Sequence, residues 1–496
     1  MWQNSVCLAR DQGLAIYTGK VNCLLKQKNI FRVTDGDRLA TDTIDGNKQP
    51  KHSLSTAGLV WVGLGGIIGA GFFLASGLPI NQAGPGVIFA YLLGGLLMAQ
   101  VGGALTSMSV NHPVRGSFRV YAQEFLGSYM GFYLGWAFWV SSILAIGSET
   151  TAMAIFARLW LPNVPVWLLT IIFSAIVIAL NAFGVKKFGK IESLMSVVKV
   201  CALALFVVLG VMAFSGFVST TRPVGLGTLL GSGGLFPKGI AGWSESMLIV
   251  IFAYGGISVV ALATSEVEDP KRSIPRAMLW VVVSLIVLYI ASLLVIMSLV
   301  PWTTITVQES PFVVALQAVN LPVLPSIMNA IILVAAFSVM VGAFFAAMTM
   351  LVSLGEAREA PVFVTRKGRN GVFHGSLVLT GLGVLATVTV SYFLPSKVYA
   401  YLTSASAYFS FLNWGTILVS FLVWRKKSAG IERYESPLAF GAPWATWASL
   451  GVIGVLFIYS LGVVDQRMGF YAALALTLLI SAAYFLLYRG HTSSDE

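Results

Sequence analysis

Polar and apolar positions along this chain alternate in long blocks rather than at a helical or strand period. From residue 53 onward, uncharged apolar blocks follow one another, separated by short segments rich in charge, proline or glycine. A membrane-spanning helix needs about 20 largely apolar residues. Twelve blocks meet that length, near 56–79, 86–110, 128–157, 165–183, 193–216, 243–265, 277–300, 327–354, 373–394, 398–423, 443–464 and 468–488. Between Ser53 and Val114 the only Asp, Glu, Lys, Arg or His is His112, so this stretch reads as two spans joined by a turn around Pro79, Gly84, Pro85 and Gly86. The uncharged stretch from Ser310 to Gly355 is too long for one helix. It divides into a short extracellular piece ending near Pro322 and Pro325 and a following span.

The pattern predicts an all-α integral membrane protein with twelve transmembrane helices. Composition agrees, because only 10% of residues are charged, against about 25% in soluble domains. A soluble globular protein, a disordered chain and a fibre are excluded. Residues 1–52 are polar and of mixed charge and read as a disordered cytoplasmic tail; 53–490 form the transmembrane domain, and 491–496 a short cytoplasmic tail.

The net charge of +11 then acquires a topological meaning. Alternate loops carry Arg115 and Arg119; Lys186, Lys187 and Lys190; Lys271, Arg272 and Arg276; Arg358, Arg366, Lys367 and Arg369; and Arg425, Lys426, Lys427 and Arg433. The remaining loops hold only Arg222, Lys238, Lys397 and Arg467, with Arg158 at one end of the third span. The positive-inside rule places the first set, and both termini, in the cytoplasm. No basic stripe with interleaved aromatics is present, so nucleic acid is not an expected partner. Cys7, Cys23 and Cys201 form no CxxC pair and the four histidines are scattered, so neither a metal site nor a cofactor is expected. An integral-membrane enzyme would need an HExxH element or acids clustered with histidine, and neither occurs.

Two spans carry glycine where it disturbs a helix most. Span one reads Gly65-Gly66-Ile67-Ile68-Gly69-Ala70-Gly71-Phe72-Phe73, and span six reads Phe252-Ala253-Tyr254-Gly255-Gly256-Ile257-Ser258. Glycine costs about 1 kcal/mol against alanine inside a helix. Close helix–helix packing alone would explain either segment. Their matching positions in two successive sets of five spans point instead to interrupted helices in an inverted-repeat transporter. Twelve spans then decompose as a five-plus-five inverted repeat with helices 1 and 6 interrupted, plus two extra helices. An unwound segment frees N–H groups that suit a carboxylate and carbonyls that suit an ammonium. Such a site fits a zwitterion, of which an amino acid is the simplest.

These residues resemble the amino acid–polyamine–organocation superfamily, and within it the bacterial amino acid permease branch. The resemblance runs over about 53–490. It rests on Gly65 to Gly71, on Pro113-Val114-Arg115-Gly116-Ser117-Phe118 with Tyr121-Ala122, and on Gly135-Trp136 with Glu149-Thr150. Its most specific part is Ser265-Glu266-Val267-Glu268-Asp269-Pro270 with Ser273-Ile274-Pro275-Arg276-Ala277. The resemblance implies that the backbone of Ile68, Gly69, Ala70 and Gly71 holds a substrate carboxylate. It implies that the carbonyls of Ile67, Phe252 and Gly255, beside Gly256, hold the amine. Phe252 would cover the substrate. Family members commonly carry glutamate where Ser258 and Ser107 stand here, and losing the first argues against cationic substrates.

Charges inside spans are costly, at about 2.5–3.5 kcal/mol near a helix centre. Lys199 lies two turns into span five. The resemblance implies a lysine standing where relatives bind sodium, with proton coupling as its role; a fixed structural cation is the other reading. Glu149 in span three and Glu266 at the end of span six are candidates for the pathway or a gate, with structural pairing and a solvated loop as the respective alternatives. Glu245 reads as a first-turn acid at the start of span six. Together the residues and the resemblance lead to a secondary transporter in a bacterial plasma membrane. It would import neutral amino acids by alternating access with protons, surrounded by the lipid bilayer. An amino acid/metabolite antiporter and a transporter-like sensor remain as alternatives.

Overall fold

Backbone polar groups inside hydrocarbon have no water to bond, so long apolar blocks are expected to close into helices. The computed structural model describes residues 55–488, apart from 184, 222–223, 231–232, 264–266, 268, 307–308, 369–370 and 394–396; both expected tails lie outside the described residues. Among the described residues, nine helical stretches are long and apolar enough to cross a membrane, accompanied by three shorter apolar helices, Thr56–Ile67, Val166–Ala182 and Trp444–Ser460. Extended structure there is limited to two isolated bridges, Thr220 with Val319 and Lys367 with Phe373.

The first apolar block folds as α1 (Thr56–Ile67), α2 (Ala70–Phe73) and α3 (Gly77–Ala83), followed by α4 (Val87–Asn111). Then come α5 (Phe118–Leu126), α6 (Ser128–Ala157), α7 (Val166–Ala182), α8 (Val185–Phe214) and α9 (Leu226–Leu230). The second half holds α10 (Gly239–Tyr254), α11 (Ile257–Ala263), α12 (Pro270–Leu299), α13 (Pro311–Gln317) and α14 (Leu324–Glu356). The chain continues through α15 (His374–Phe393), α16 (Val398–Lys427), α17 (Trp444–Ser460) and α18 (Arg467–Ala483). Local chemistry sets several of these starts. The Ser55 hydroxyl accepts from Gly58 N at 3.2 Å before α1. Asp269 caps α12 through Arg272 N, with Pro270 in the first position, where a missing N–H costs nothing. The expected split of 310–355 appears as α13 and α14. Span six begins at Gly239, earlier than the apolar block alone indicates, so Glu245 sits well inside α10 and does not cap it.

The breaks fall where the glycines are. α1 stops at Ile67, Ile68 and Gly69 run extended, and α2 begins at Ala70. Gly69 has φ −144° and ψ −158°, a conformation open to any residue, so its value is space. A Cβ there would lie 2.7 Å from Val339 Cγ2 and 2.9 Å from Glu149 Oε1. The second break lies at Gly255 and Gly256, between α10 and α11. Around them α6 packs on α14 and α16, and α12 packs on α4 and α8. The outer faces, such as Leu205, Val208 and Val211 of α8, are exposed and suit lipid.

Two charge clusters pin the loops. Arg119, counted above as a loop cation, is buried at 4% exposure on α5. Its Nη1 donates to Glu359 Oε2 at 2.9 Å and to Gln123 Oε1 at 3.0 Å, and its Nε donates to Ser353 Oγ at 2.9 Å. Trp136 Nε1 closes the group by donating to the Glu359 carbonyl. This ties α5 to the end of α14. The second cluster joins the last turn of α16 to the segment after it, where Glu435 pairs with Arg425 of the helix at 3.0 Å and with Arg433 at 2.6 Å. That segment lies against α4: Ser436 N donates to Ser107 Oγ at 2.9 Å, and Asn111 exchanges bonds with the Tyr434 backbone.

Removing one partner of a buried ion pair strands the other charge and costs about 3–5 kcal/mol, whereas an apolar replacement of both is often neutral. Glu359→Ala is therefore expected to lower the melting temperature in detergent, and the double variant Arg119→Met with Glu359→Leu to recover most of the loss. Partial burial alone would raise the Glu435 carboxyl, but the hydrogen bonds and charges of Arg425 and Arg433 outweigh it and hold the pKa below the ordinary value. The stabilisation is thus complete above the usual carboxylate range and disappears as pH falls through the depressed value. Melting curves of Glu435→Gln taken from pH 7 downward should lose that part of the acid dependence; an unchanged slope would remove the assignment.

Candidate functional site

The two breaks meet. α1 packs against α11, and α2 against α10. At their crossing a Cβ on Gly256 would come within 2.5 Å of the Gly66 carbonyl oxygen, so only glycine lets these backbones approach so closely. The Phe252 ring lies over Gly71, where a Cβ would be 3.0 Å from Phe252 Cε1. Ile67, Ile68, Gly69, Ala70 and Gly71 are buried, as is Ser258 on α11. The fold thus brings the two glycine segments named by the sequence into one buried region. Within it the Gly255 N–H donates to the Phe252 carbonyl at 3.0 Å.

A broken helix exposes carbonyls at one end and amides at the next beginning, with partial negative and positive charge respectively. Each end here has a buried partner of opposite charge. Lys199 Nζ, from α8, donates to the carbonyls of Gly65 and Ile68, the latter at 3.1 Å, and to Ser338 Oγ of α14 at 2.9 Å. Glu149, from α6, accepts from Ala70 N at 2.9 Å through Oε2 and from Gly71 N at 3.3 Å through Oε1. Ile68 N still reaches back to Leu64 O at 3.0 Å, and Tyr399 Oη donates to the Ala70 carbonyl at 3.3 Å. Lys199 is fully buried and Glu149 is 4% exposed. The lysine thus lies at the break, bound to the end of α1. Two of the four residues whose backbone was expected to meet a carboxylate have their amides bound by Glu149.

Sequence reasoning missed Glu192 and Ser338. Glu192 is 2% exposed on α8, and its Oε1 accepts from Ser338 Oγ at 2.7 Å. Seven residues separate it from Lys199, two helical turns, which puts both on one face. That spacing was the available signal, obscured because Glu192 follows Lys186, Lys187 and Lys190 and reads with them as a solvated boundary. Gly65 makes the room: a Cβ there would collide with Glu192 Oε1 and Ser196 Oγ. Ser107, named above together with Ser258, lies apart, its Oγ donating to Gly103 O and accepting from Ser436 N. Glu266 lies outside the described residues. Among the described residues no cluster of three His, Cys, Asp or Glu side chains could hold a metal.

Comparison with known proteins adds the family. A family profile for amino acid permeases matches residues 58–494. The chain is 34% identical over 377 residues to the gamma-aminobutyric acid permease of Bacillus subtilis (strain 168), covering 76% of this chain and 80% of that one. It is 33% identical to the amino-acid permease RocC of the same organism, over 88% of this chain and 94% of the relative. The amino-acid permease AapA, also from that strain, is 30% identical over 86% and 93%. These proteins are transporters rather than enzymes. With the paired broken helices, the matched length and these identities, the chain belongs to the amino acid permease family of the amino acid–polyamine–organocation superfamily.

Proposed function

We propose that this protein is a secondary active transporter that imports neutral amino acids by alternating access, driven by protons. The observation that carries the proposal is the first break, whose carbonyl end holds the Lys199 ammonium and whose amide end holds the Glu149 carboxylate. The Glu149 carboxylate occupies amides that suit a substrate carboxylate, and the Lys199 ammonium sits on neighbouring carbonyls of the same break, where a cation is favoured. In this reading the substrate carboxylate takes the amides of Ala70 and Gly71, together with those of Ile68 and Gly69, as Glu149 moves aside. The substrate amine meets the carbonyls of Ile67, Phe252 and Gly255, Phe252 covers it, and Ser258 borders the pocket. Lys199 is the coupling residue, because a deprotonated amine, with no charge and one N–H fewer, would hold the carbonyls of Gly65 and Ile68 less tightly and allow the two half-helices to move. Twelve spans in a five-plus-five inverted repeat, plus two, with both termini in the cytoplasm at the bacterial plasma membrane, complete the proposal.

The deciding experiment is competition uptake into liposomes with an imposed inward proton gradient. One labelled neutral amino acid is tested against the other amino acids and gamma-aminobutyric acid, which is included because a relative bears that name. Accumulation that a protonophore collapses and only neutral compounds compete supports the reading. Flux that ignores the gradient and needs internal amino acid or amine replaces it with exchange.

Two variants test the site. Gly69→Leu places a side chain on Val339 and the Glu149 carboxylate, so uptake should fall at least tenfold with membrane insertion retained; wild-type uptake would remove the pocket assignment. Lys199→Ala should abolish gradient-driven accumulation, whereas unchanged accumulation and pH dependence would leave Lys199 a structural cation.

A further inference from the structure

Glu192 is a buried carboxylate that the transport reading leaves unused. The hydrogen bonds around it have a direction. Lys199 Nζ donates to Ser338 Oγ at 2.9 Å, and the same hydroxyl donates onward to Glu192 Oε1 at 2.7 Å. One hydroxyl therefore accepts from an ammonium and donates to a carboxylate, which is the arrangement required to pass a proton from one to the other. Ser196 Oγ donates its hydrogen to the Glu192 backbone carbonyl at 2.7 Å, so Ser338 is the hydroxyl that bridges Lys199 and the Glu192 carboxylate. No side chain at Gly65 fills the space that the carboxylate occupies. Along α8, Glu192 lies two turns from Lys199 toward the end that bears Lys186, Lys187 and Lys190.

We propose that Ser338 and Glu192 form the exit relay for the coupling proton, carrying it from Lys199 toward the lysine-rich end of α8. This rests on the proton-coupled reading above. In the step, an N–H bond of Lys199 breaks and its proton joins Ser338 Oγ, while the original Ser338 O–H proton passes to Glu192 Oε1. The electron pair of the broken N–H bond stays on the lysine nitrogen. Lysine ends as a neutral amine, Ser338 is again a hydroxyl and Glu192 is a carboxylic acid, so net charge is conserved. The other titratable groups around Lys199 are Glu149 from α6 and, within electrostatic range of Glu149, Tyr399 from α16 and Tyr289 from α12. α1 supplies carbonyls and α14 a hydroxyl. Glu192 is the acid joined to Lys199 through a donor already oriented toward it.

The test separates proton release from substrate movement. Wild-type protein and the variants Glu192→Gln, Ser338→Ala and Ser338→Thr are placed in liposomes with a lumenal pH dye. A labelled mixture of the neutral L-amino acids and gamma-aminobutyric acid is the probe. Gradient-driven accumulation and equal exchange, with the same mixture on both sides, are both measured. Glu192→Gln keeps an acceptor oxygen and cannot take a proton. It should retain exchange within twofold while accumulation and lumenal acidification fall at least tenfold. Ser338→Ala should behave alike, and Ser338→Thr should restore both. Wild-type accumulation in Glu192→Gln or Ser338→Ala overturns the relay and leaves proton coupling standing. Equal loss of exchange and accumulation also overturns it, in favour of a structural role. A wild-type protein that moves the mixture without acidifying the lumen overturns the coupling reading itself, and the relay with it.

Discussion

A chain can leave the helix inside a membrane only if the hydrogen bonds it gives up are made elsewhere. That constraint organises this protein. At Ile68 and Gly69 the backbone runs extended, and the groups it frees are bound by Lys199 from α8 and Glu149 from α6. Neither charge would be tolerable alone, since several kcal/mol of solvation are lost per buried ion. Each is held by the partial charge of a helix end and by the field of the other. The break and the intramembrane charges are therefore one feature. The same constraint explains the neighbours: α6, α8 and α14 each contribute a polar group to the break and so must pack against it.

Glycine serves this arrangement mainly by its size. Gly69 has a conformation that any residue adopts, yet a single methyl there would strike Val339 and Glu149. Gly65 leaves space for Glu192, and Gly256 lets the second break rest on the Gly66 carbonyl. A helix former at any of these positions would satisfy local propensity and destroy the contact. Local preference is sacrificed here for the packing of a polar interior, as expected where a fold departs from its own rules for function.

The all-helical, apolar architecture was legible because block hydrophobicity reports the need to close backbone hydrogen bonds within each block, and the breaks were legible because glycine clustered in two of those blocks. Lys199 stood out as a cation in an apolar run. Glu192 did not, because three lysines just before it resemble a solvated loop and only the seven-residue spacing betrays its face. Arg119 was hidden in the same way: its partner Glu359 is far away in sequence, and nothing local distinguishes a buried arginine from a loop cation. The interruption between α2 and α3 also escaped notice. Just beyond it Gly77 is seated against the Thr306 carbonyl, where a Cβ would lie 2.8 Å from the oxygen, a contact that local sequence does not announce.

Charge balance links these residues to substrate choice. Around the break the side chains comprise one cation, Lys199, and two acids, Glu149 and Glu192. In a low-dielectric interior, each further unpaired charge is far more costly than in water. In the proposed function a zwitterion would enter without changing the sum, its carboxylate replacing that of Glu149 at the amides of α2. In the proposed pose a cationic side chain would need its own counter-ion near α11, which offers the hydroxyl of Ser258 and no carboxylate, because both acids of the break are already engaged, Glu149 by the Ala70 and Gly71 amides and Glu192 by Ser338. A substrate with an acidic side chain would add to two acids already present. The neutral-substrate preference proposed above would then rest on the same electrostatic constraint that permits the helix to break.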